Sequence, residues 1–290
     1  MSNFLNTIEE AIRKKNYYRA QQLYISLAFR FKSKGETEQA INLLSSGSIK
    51  LIQNGEYLGG IALGFKMIEI LISEKIKPDE NRIKLIENIV DCFPEKEKTQ
   101  ATSFIEHAID KWTTTKENIL GDANLHYITA KIYENNEDYG ESQKHYIQTK
   151  GRTKEFGKML ITWAKQGTKS EIDLFIARPI LQMLCFSNLD DSESLYEYYI
   201  QELVSNMMNI QTPLLNFITF LFRTLRRDSK ELFLMLREKY LPSLQRDPSF
   251  VKFVDQIGRV YFDIETPRQD FASLFGNLIP SLLGDSEEKK

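Results

Sequence analysis

Long apolar runs, a cysteine framework and an excess of charge are all missing from this chain of 290 residues. No window approaches the ~18 uninterrupted apolar residues of a spanning helix, so direct insertion into a membrane by that route is not expected. Cys92 and Cys185 are the only cysteines, lie far apart, and show no CxxC or His/Cys spacing. A disulfide scaffold therefore has no basis, and two reduced, buried thiols are expected. Only 14 Gly and 8 Pro punctuate the chain, which argues against a turn-rich β fold. The formal net charge of −2 gives no global attraction to nucleic acid. The opening MSNFLNTIEEAIRKK contains acids and has no apolar stretch leading to a small-residue cleavage site. Neither a secretory nor a mitochondrial signal is read there, and a cytosolic protein is expected.

Catalytic signatures are missing too. A P-loop needs Gly-Lys followed by Ser or Thr after an earlier glycine, so that backbone amides surround phosphates. The nearest strings, Gly157-Lys158-Met159 and Gly167-Thr168-Lys169-Ser170, both fail. There is no GxGxxG, no GxSxG elbow and no HExxH. His107, His126 and His145 stand nineteen apart, a spacing that a helical array would bring onto successive layers. Without a carboxylate or cysteine at fixed spacing they read as ordinary polar or core histidines before they read as zinc ligands. No catalytic residue, metal or cofactor is expected, and the chain reads as a non-enzyme.

What the chain does have is helical material. At 290 residues with 42% apolar and 27% charged side chains, it exceeds one ordinary core and suggests two domains or a repeat array. Asn16-Tyr-Tyr-Arg-Ala20, Gly35-Glu-Thr-Glu-Gln-Ala40 and Gly55-Glu-Tyr-Leu-Gly-Gly60 align, so that Ala20, Ala40 and Gly60 recur every twenty positions. One helix plus its turn takes roughly that length, and two make a hairpin near the ~34 to 40 residues of TPR-like units. Asn136-Glu-Asp-Tyr139 is a fourth, degenerate echo. The fold class expected is all-α, a TPR-like α-solenoid of antiparallel helix hairpins.

Apolar spacing supports the helices one by one. Phe4, Leu5, Ile8, Ala11 and Ile12 form one stripe, and Tyr17, Ala20, Tyr24, Leu27 and Phe31 a second that Gly35 would cap. Asp79 after Pro78 opens a helix through Ile83, Ile86 and Ile89 that ends near Phe93-Pro94. Gly121-Asp122 offers another start. The stripe from Ile172 to Leu184, with Pro179 inside, must be largely buried. Leu214 to Leu225 is apolar almost all round, which reads either as a central helix covered by its own chain or as a groove for a partner. Leu232 to Leu236 adds five apolar residues in a row. Beyond Pro267, Phe271, Leu274, Phe275, Leu278, Ile279, Leu282 and Leu283 form a stripe that suits capping or partner docking, lacking the Lys and Arg of membrane-surface helices. The last residues, Asp285 to Lys290, read as disordered.

Charge is unevenly placed. Residues 1–34 hold Arg13, Lys14, Lys15, Arg19, Arg30, Lys32 and Lys34 against Glu9 and Glu10, a net +5 that leaves −7 for the rest. Such an end can steer an acidic protein partner, although solvated helix faces explain charge runs equally well. No nucleic-acid motif accompanies it.

Several strings, taken together, resemble the Golgi-to-ER traffic protein four family, the adaptor of the guided-entry pathway for tail-anchored membrane proteins. They are Asn16-Tyr-Tyr-Arg-Ala-Gln-Gln22, Ser170-Glu-Ile-Asp-Leu-Phe-Ile-Ala177, Leu181-Gln-Met-Leu-Cys-Phe-Ser-Asn188, Pro213-Leu-Leu-Asn-Phe217, Tyr240-Leu-Pro-Ser-Leu-Gln-Arg-Asp-Pro248 and Leu274-Phe-Gly-Asn-Leu278. The likeness runs from about Tyr17 to Gly284. It implies an α-solenoid whose N-terminal half, 1–150, contacts the targeting ATPase, and whose C-terminal half, 151–266, holds a ubiquitin-like co-chaperone, followed by an apolar tail, 267–290. It implies ATPase contact through Arg13, Lys14, Lys15, Tyr17, Tyr18, Arg19 and Gln22, with Glu69, Glu74, Asp79 and Glu80 as a second part of that face. Leu214, Phe217, Ile218, Leu221, Tyr261 and Phe262 are assigned to the ubiquitin-like partner. In animal-type members a Bag-type scaffold protein also binds the C-terminal half. Fungal members carry an added β-hairpin among their last helices, for which Val260 to Pro267 leaves little room. The rival expectation is a generic helical-repeat subunit of another assembly.

Overall fold

Residues 2–205 and 211–265 are described by the computed structural model, and among them every regular element is helical. The fold is all-α, a TPR-like α-solenoid of helix hairpins. Contacts divide it into two compact units, Met1–Ile132 and a second that begins at Tyr133. The division falls within a helix, ahead of the boundary expected at 150. The reason is aromatic: Tyr139 stacks on Trp163 and Tyr146 on Phe156, which ties the residues after 133 to the helix that follows them.

In the first unit α1 (Ser2–Arg13), α2 (Tyr17–Ser33), α3 (Thr37–Gln53) and α4 (Tyr57–Ser73) are separated by three-residue turns. All close in the same way. Lys15, Gly35, Gly55 and, after α4, Lys75 take positive φ, at 55°, 76°, 80° and 53°. The next residue then donates its N–H back across the helix end: Asn16 to Ala11 O at 2.8 Å, Glu36 to Phe31 O at 2.9 Å, Glu56 to Leu51 O at 3.0 Å and Ile76 to Leu71 O at 2.9 Å. This Schellman closure satisfies carbonyls that a helix end leaves orphaned. Gly35 caps α2 as its sequence suggests, and the repeat of twenty is the spacing of these left-handed residues.

The small residues do what their spacing implies. Ala20, Ala40 and Gly60 are buried. A Cβ on Gly60 would lie 2.5 Å from Ile52 Cγ1 and 2.9 Å from the Ser48 carbonyl oxygen. The Ser48 hydroxyl donates to the Gly60 carbonyl at 2.7 Å, so backbone meets backbone where α3 and α4 pack. Both early stripes are core except Leu5, which is exposed, and Phe4 and Tyr17, which pack against the core from its edge. Asp79 caps α5 (Glu80–Asp91) by accepting the Arg82 N–H at 2.9 Å. After a 3-10 segment, Glu95–Ala101, α6 (Thr102–Ala108) runs into a π-helical turn, Ile109–Thr113, whose Trp112 donates to Ile76 O at 2.8 Å. Asp122 caps α7 (Ala123–Asn135).

The second unit contains α8 (Tyr139–Tyr146), α9 (Thr153–Ala164), α10 (Ile172–Cys185), α11 (Leu189–Ser205), α12 (Pro213–Arg226), α13 (Lys230–Lys239), α14 (Leu241–Leu244) and α15 (Pro248–Phe262). Its centre is α10, buried along nearly its whole length, Pro179 included, among α9, α11, α12 and α15. Asp173 on α10 is buried and takes two hydrogen bonds from Arg246, at 2.6 and 3.0 Å. Arg178, also on α10, pairs with Asp247, the cap of α15. Left-handed Glu137, Ser187 and Asp228 close turns here as Lys15 and Lys75 do above. Cys185 is buried, and burial raises its thiol pKa, whereas Cys92 is only half-buried, so just one of the two thiols is as enclosed as expected. The apolar stripe beyond Pro267 lies outside the described residues.

Gly60→Val should cost about 1–3 kcal/mol by overpacking against Ser48 and Ile52, whereas Lys75→Gly should add about 0.5–1 kcal/mol by relieving a left-handed side chain. Urea unfolding monitored by far-UV circular dichroism reads both, and an unchanged midpoint for Gly60→Val would contradict the close approach. Arg246→Met should lower stability by roughly 2–3 kcal/mol, because it strands the buried Asp173 carboxylate.

Candidate interaction surfaces

Because successive helices of the first unit run antiparallel, their ends fall alternately on two edges. One edge gathers the C-terminus of α1, the N-terminus of α2 and the C-terminus of α3. There Arg13, Lys14, Lys15, Tyr18, Arg19 and Gln22 are all exposed, Tyr18 to 74%, while Tyr17 is half-buried against the core. Asn16 accepts the Arg19 N–H at 3.2 Å, which starts α2 beside the left-handed Lys15. A hollow of about 300 Å3 is lined by Glu9, Ile12, Arg13, Lys15, Tyr17, Lys50 and Asn54. The sequence carries no signal for Lys50 here, since it lies outside the basic run and joins it only through the return of α3.

Both acids of the basic run, Glu9 and Glu10, are engaged. Lys14 sits 2.6 Å from Glu10 and, by hydrogen bond and charge, holds its carboxyl below the usual range. Lys50 lies 3.3 Å from Glu9. Arg13, Lys15 and Arg19 have no ion-pair partner among the described residues and remain free to meet an acidic surface.

The opposite edge gathers the C-termini of α2 and α4 and the N-termini of α3 and α5. Glu69, Glu74, Asp79 and Glu80 are exposed there. Glu74 pairs with Lys32 at 3.1 Å and Glu69 with Lys66 at 2.7 Å, while Arg82 pairs with both Asp79 and Glu38. Tyr18 and Lys32 are fourteen residues apart on α2, a rise of roughly 20 Å at 1.5 Å per residue. The basic and acidic sets thus stand at the two ends of one helix. A groove of about 550 Å3 adjoins the acidic end, lined by Ile25, Phe29, Lys32, Lys66, Glu69 and Ile70 among others. Phe29 is 70% exposed, lying two positions beyond Leu27 and off the buried stripe of α2.

In the second unit the assignment of α12 needs correction. Leu214, Phe217, Ile218 and Leu221 are fully buried where α12 packs on α10, α13 and α14, and Phe217 meets the Tyr240 ring at 5.7 Å. They are core, because each faces the helices that cover α12. Phe262 is buried as well, with its ring 5.1 Å from Phe233. Tyr261 is half-buried; its hydroxyl has no hydrogen-bond partner among the described residues, and burial pushes the phenol up to about 12. Among the described residues of this unit, the exposed large apolar ones are instead Phe220, at 44%, Leu234 and Met235. Helical spacing carries the signal for Phe220, which shares a stripe with Asn216, Arg223 and Arg227 on the polar side of α12.

The histidines have local roles. His126 is buried with Nε2 2.7 Å from Leu120 O, His107 packs edge-on to Phe65, and His145 stacks on Tyr133. Among the described residues no group of three His, Cys, Asp or Glu is placed to hold a metal ion, and no helix is long and apolar enough to cross a membrane.

Antiparallel helix hairpins presenting charged edges and grooves define the α-solenoid repeat class. A sequence model of the family described as Golgi to ER traffic protein 4 matches residues 34–283. The chain belongs to the Golgi to ER traffic protein 4 family, whose general role is that of an adaptor in the guided-entry pathway for tail-anchored proteins. It is 29% identical to the human Golgi to ER traffic protein 4 homolog over 289 residues, covering 97% of this chain and 86% of that protein. The homolog from Oryzias latipes is 28% identical over 287 residues, covering 97% of this chain and 87% of that protein. The crystal structure of C. therm. Get4 superimposes with a TM-score of 0.82 at 21% identity, over 96% of this chain and 95% of that one, a likeness of fold.

The division of α12 into a buried and an exposed face has a direct test. Phe217→Ala should destabilise the protein by about 3–5 kcal/mol, whereas Phe220→Ser should stay within about 0.5 kcal/mol of the parent. Thermal unfolding measured side by side distinguishes them, and equal losses would refute the assignment of faces.

Proposed function

We propose that the chain is a non-enzymatic cytosolic adaptor that bridges the targeting ATPase and a ubiquitin-like co-chaperone, so that a tail-anchored client passes toward the ER. The observation that carries this reading is the basic edge of the first unit, where Arg13, Lys15 and Arg19 are exposed without an ion-pair partner while Glu9 and Glu10 are engaged. A cationic edge of this kind speeds encounter with an acidic partner and sets its register more than it raises affinity. Tyr17, Tyr18 and Gln22 supply aromatic and polar contact beside it. Glu69, Glu74, Asp79 and Glu80 are the far end of the same ATPase-facing surface, reached along α2 across the groove at Phe29.

The ubiquitin-like co-chaperone is assigned to the C-terminal half, with Tyr261 at its half-buried surface. Leu214, Phe217, Ile218, Leu221 and Phe262 support that surface from below and do not touch the partner. A Bag-type scaffold protein, where the organism has one, would also bind the C-terminal half. The reading involves no cofactor, metal or nucleic acid.

Arg19→Glu should weaken ATPase binding and steepen its loss with salt, while the ubiquitin-like partner stays bound. A pull-down with both partners, repeated at two salt concentrations, checks this. Loss of both partners together would sink the idea of two separate sites.

A further inference from the structure

A second concentration of positive charge lies outside the basic N-terminal run. Residues 150–169 hold Lys150, Arg152, Lys154, Lys158, Lys165 and Lys169 against Glu155 alone, a net +5 that equals the charge of residues 1–34 and leaves −12 for the remainder of the chain. The segment is α9 with the turns on either side of it. Phe156, Met159, Leu160 and Ala164 turn one side of α9 into the core, and Lys154, Lys158, Thr162 and Lys165 are exposed on the other. Their spacing of i, i+4, i+8 and i+11 sets them in one row, roughly 16 Å long at 1.5 Å per residue. Lys150 and Lys169 are exposed in the turns that precede and follow the helix.

This row works against the helix that carries it. Lys154 and Lys158 are like charges one turn apart, an arrangement that destabilises a helix. Lys150, Arg152 and Lys154 crowd its N-terminus, where the helix dipole is already positive. Lys66, Lys84, Lys98 and Lys144 each pair with a glutamate three residues away. Lys150, Lys154, Lys158, Lys165 and Lys169, by contrast, have no ion-pair partner among the described residues. The surrounding acids are engaged elsewhere. Glu155 faces Arg152 at 3.9 Å, and Glu171, just beyond the segment, accepts the Thr168 hydroxyl at 2.7 Å. On α11, which packs on α9, Asp191 accepts the Gly151 N–H at 3.1 Å, while Asp190 and Glu193 hold Arg226. Like charge gathered on an exposed face at a cost to local stability marks a binding surface for an anion.

The chemistry of the row selects its occupant. None of the exposed large apolar residues among those described lies between 150 and 169. The row therefore offers no aromatic or aliphatic anchor of the kind on which protein interfaces rely, and it is built of lysine, which such interfaces avoid. The two aromatic rings of the segment are occupied. Phe156 stacks on Tyr146 in the core, and Trp163 stacks on Tyr139 and meets the Phe175 ring at 5.1 Å, which leaves no ring for a nucleic-acid base. A straight row of flexible point charges with nothing to insert suits a flat anionic surface, and helix faces carrying about four to eight cations adsorb on acidic headgroups. We propose that the exposed face of α9 is an electrostatic contact site for the acidic headgroups of a lipid bilayer, on which the protein adsorbs without inserting. The proposal goes beyond the adaptor reading and requires neither of its partners.

The test uses the full chain and sedimentation with vesicles of phosphatidylcholine, alone or with about one part in four of phosphatidylserine. The protein should pellet with the mixed vesicles, less so as salt rises, and stay in solution with phosphatidylcholine alone. Lys154→Gln with Lys158→Gln should weaken vesicle binding roughly tenfold, and Lys158→Arg, which keeps the charge, should bind as the parent does. Arg13→Gln with Arg19→Gln, which removes two cations from the other basic segment, should leave binding within about twofold of the parent. Because the row repels itself, the Lys154→Gln, Lys158→Gln variant should unfold at the parent's temperature or above it, which separates lost binding from lost folding. A lower unfolding temperature would make the lysines supports of the fold and overturn the proposal. Equal binding to both kinds of vesicle, or binding that survives the α9 substitutions and is lost with those at Arg13 and Arg19, also overturns it. So does failure to bind the mixed vesicles at low salt; if a fluorescein-labelled RNA duplex or a polyglutamate peptide then binds through the same lysines, nucleic acid or an acidic protein segment is the occupant.

Discussion

The left-handed residue at the end of each early helix is the constraint on which the first unit depends. At Lys15, Gly35, Gly55 and Lys75 a single positive φ turns the chain back and lets the following N–H close the helix end. A three-residue turn of this kind leaves the next helix no choice but to run antiparallel and close by. Close packing then requires a small residue where the backbones approach, and Ala20, Ala40 and Gly60 occur in register with the turns. The period of twenty is one geometric requirement written twice, once in the turn and once in the contact.

The same alternation sorts charge. Residues scattered through the first 54 positions meet at one edge because α1 and α3 end where α2 begins, and the acids between 69 and 80 meet at the other. Lysine at left-handed positions 15 and 75 illustrates the compromise. Glycine would fit those turns with less strain, yet Lys15 places a cation in the hollow shared with Arg13 and Tyr17. Local conformation gives up a little stability where the surface carries charge, a pattern expected of interaction sites.

The second unit is organised around an enclosed helix instead of a repeat. With α10 buried on nearly every side, its polar groups have to be satisfied internally, and Arg246 on Asp173 and the Arg178–Asp247 pair fasten the last helices to it. That arrangement gives α12 one face toward the core and one toward solvent. Membership of the Golgi to ER traffic protein 4 family is consistent with a scaffold whose chemistry lies in its surfaces.

Much of the fold was legible in the chain. Helix class, the turn of twenty, the caps at Asp79 and Asp122, and the burial of Ile172 to Leu184 all follow from local physics, since φ preferences, capping hydrogen bonds and apolar periodicity act within a few residues. The family resemblance was equally readable, because it lives in ordered strings. The surfaces were legible only in part. Arg13, Lys15 and Arg19 could be recognised as exposed cations, but Lys50 joins them by the return of a later helix. Leu214, Phe217, Ile218 and Leu221 look no different from Phe220 in composition, and only the positions of α10, α13 and α14 decide which of them meet water. The sequence by itself determined the helices and their turns; the tertiary structure alone decided which faces are covered, because burial depends on neighbours brought together from distant parts of the chain.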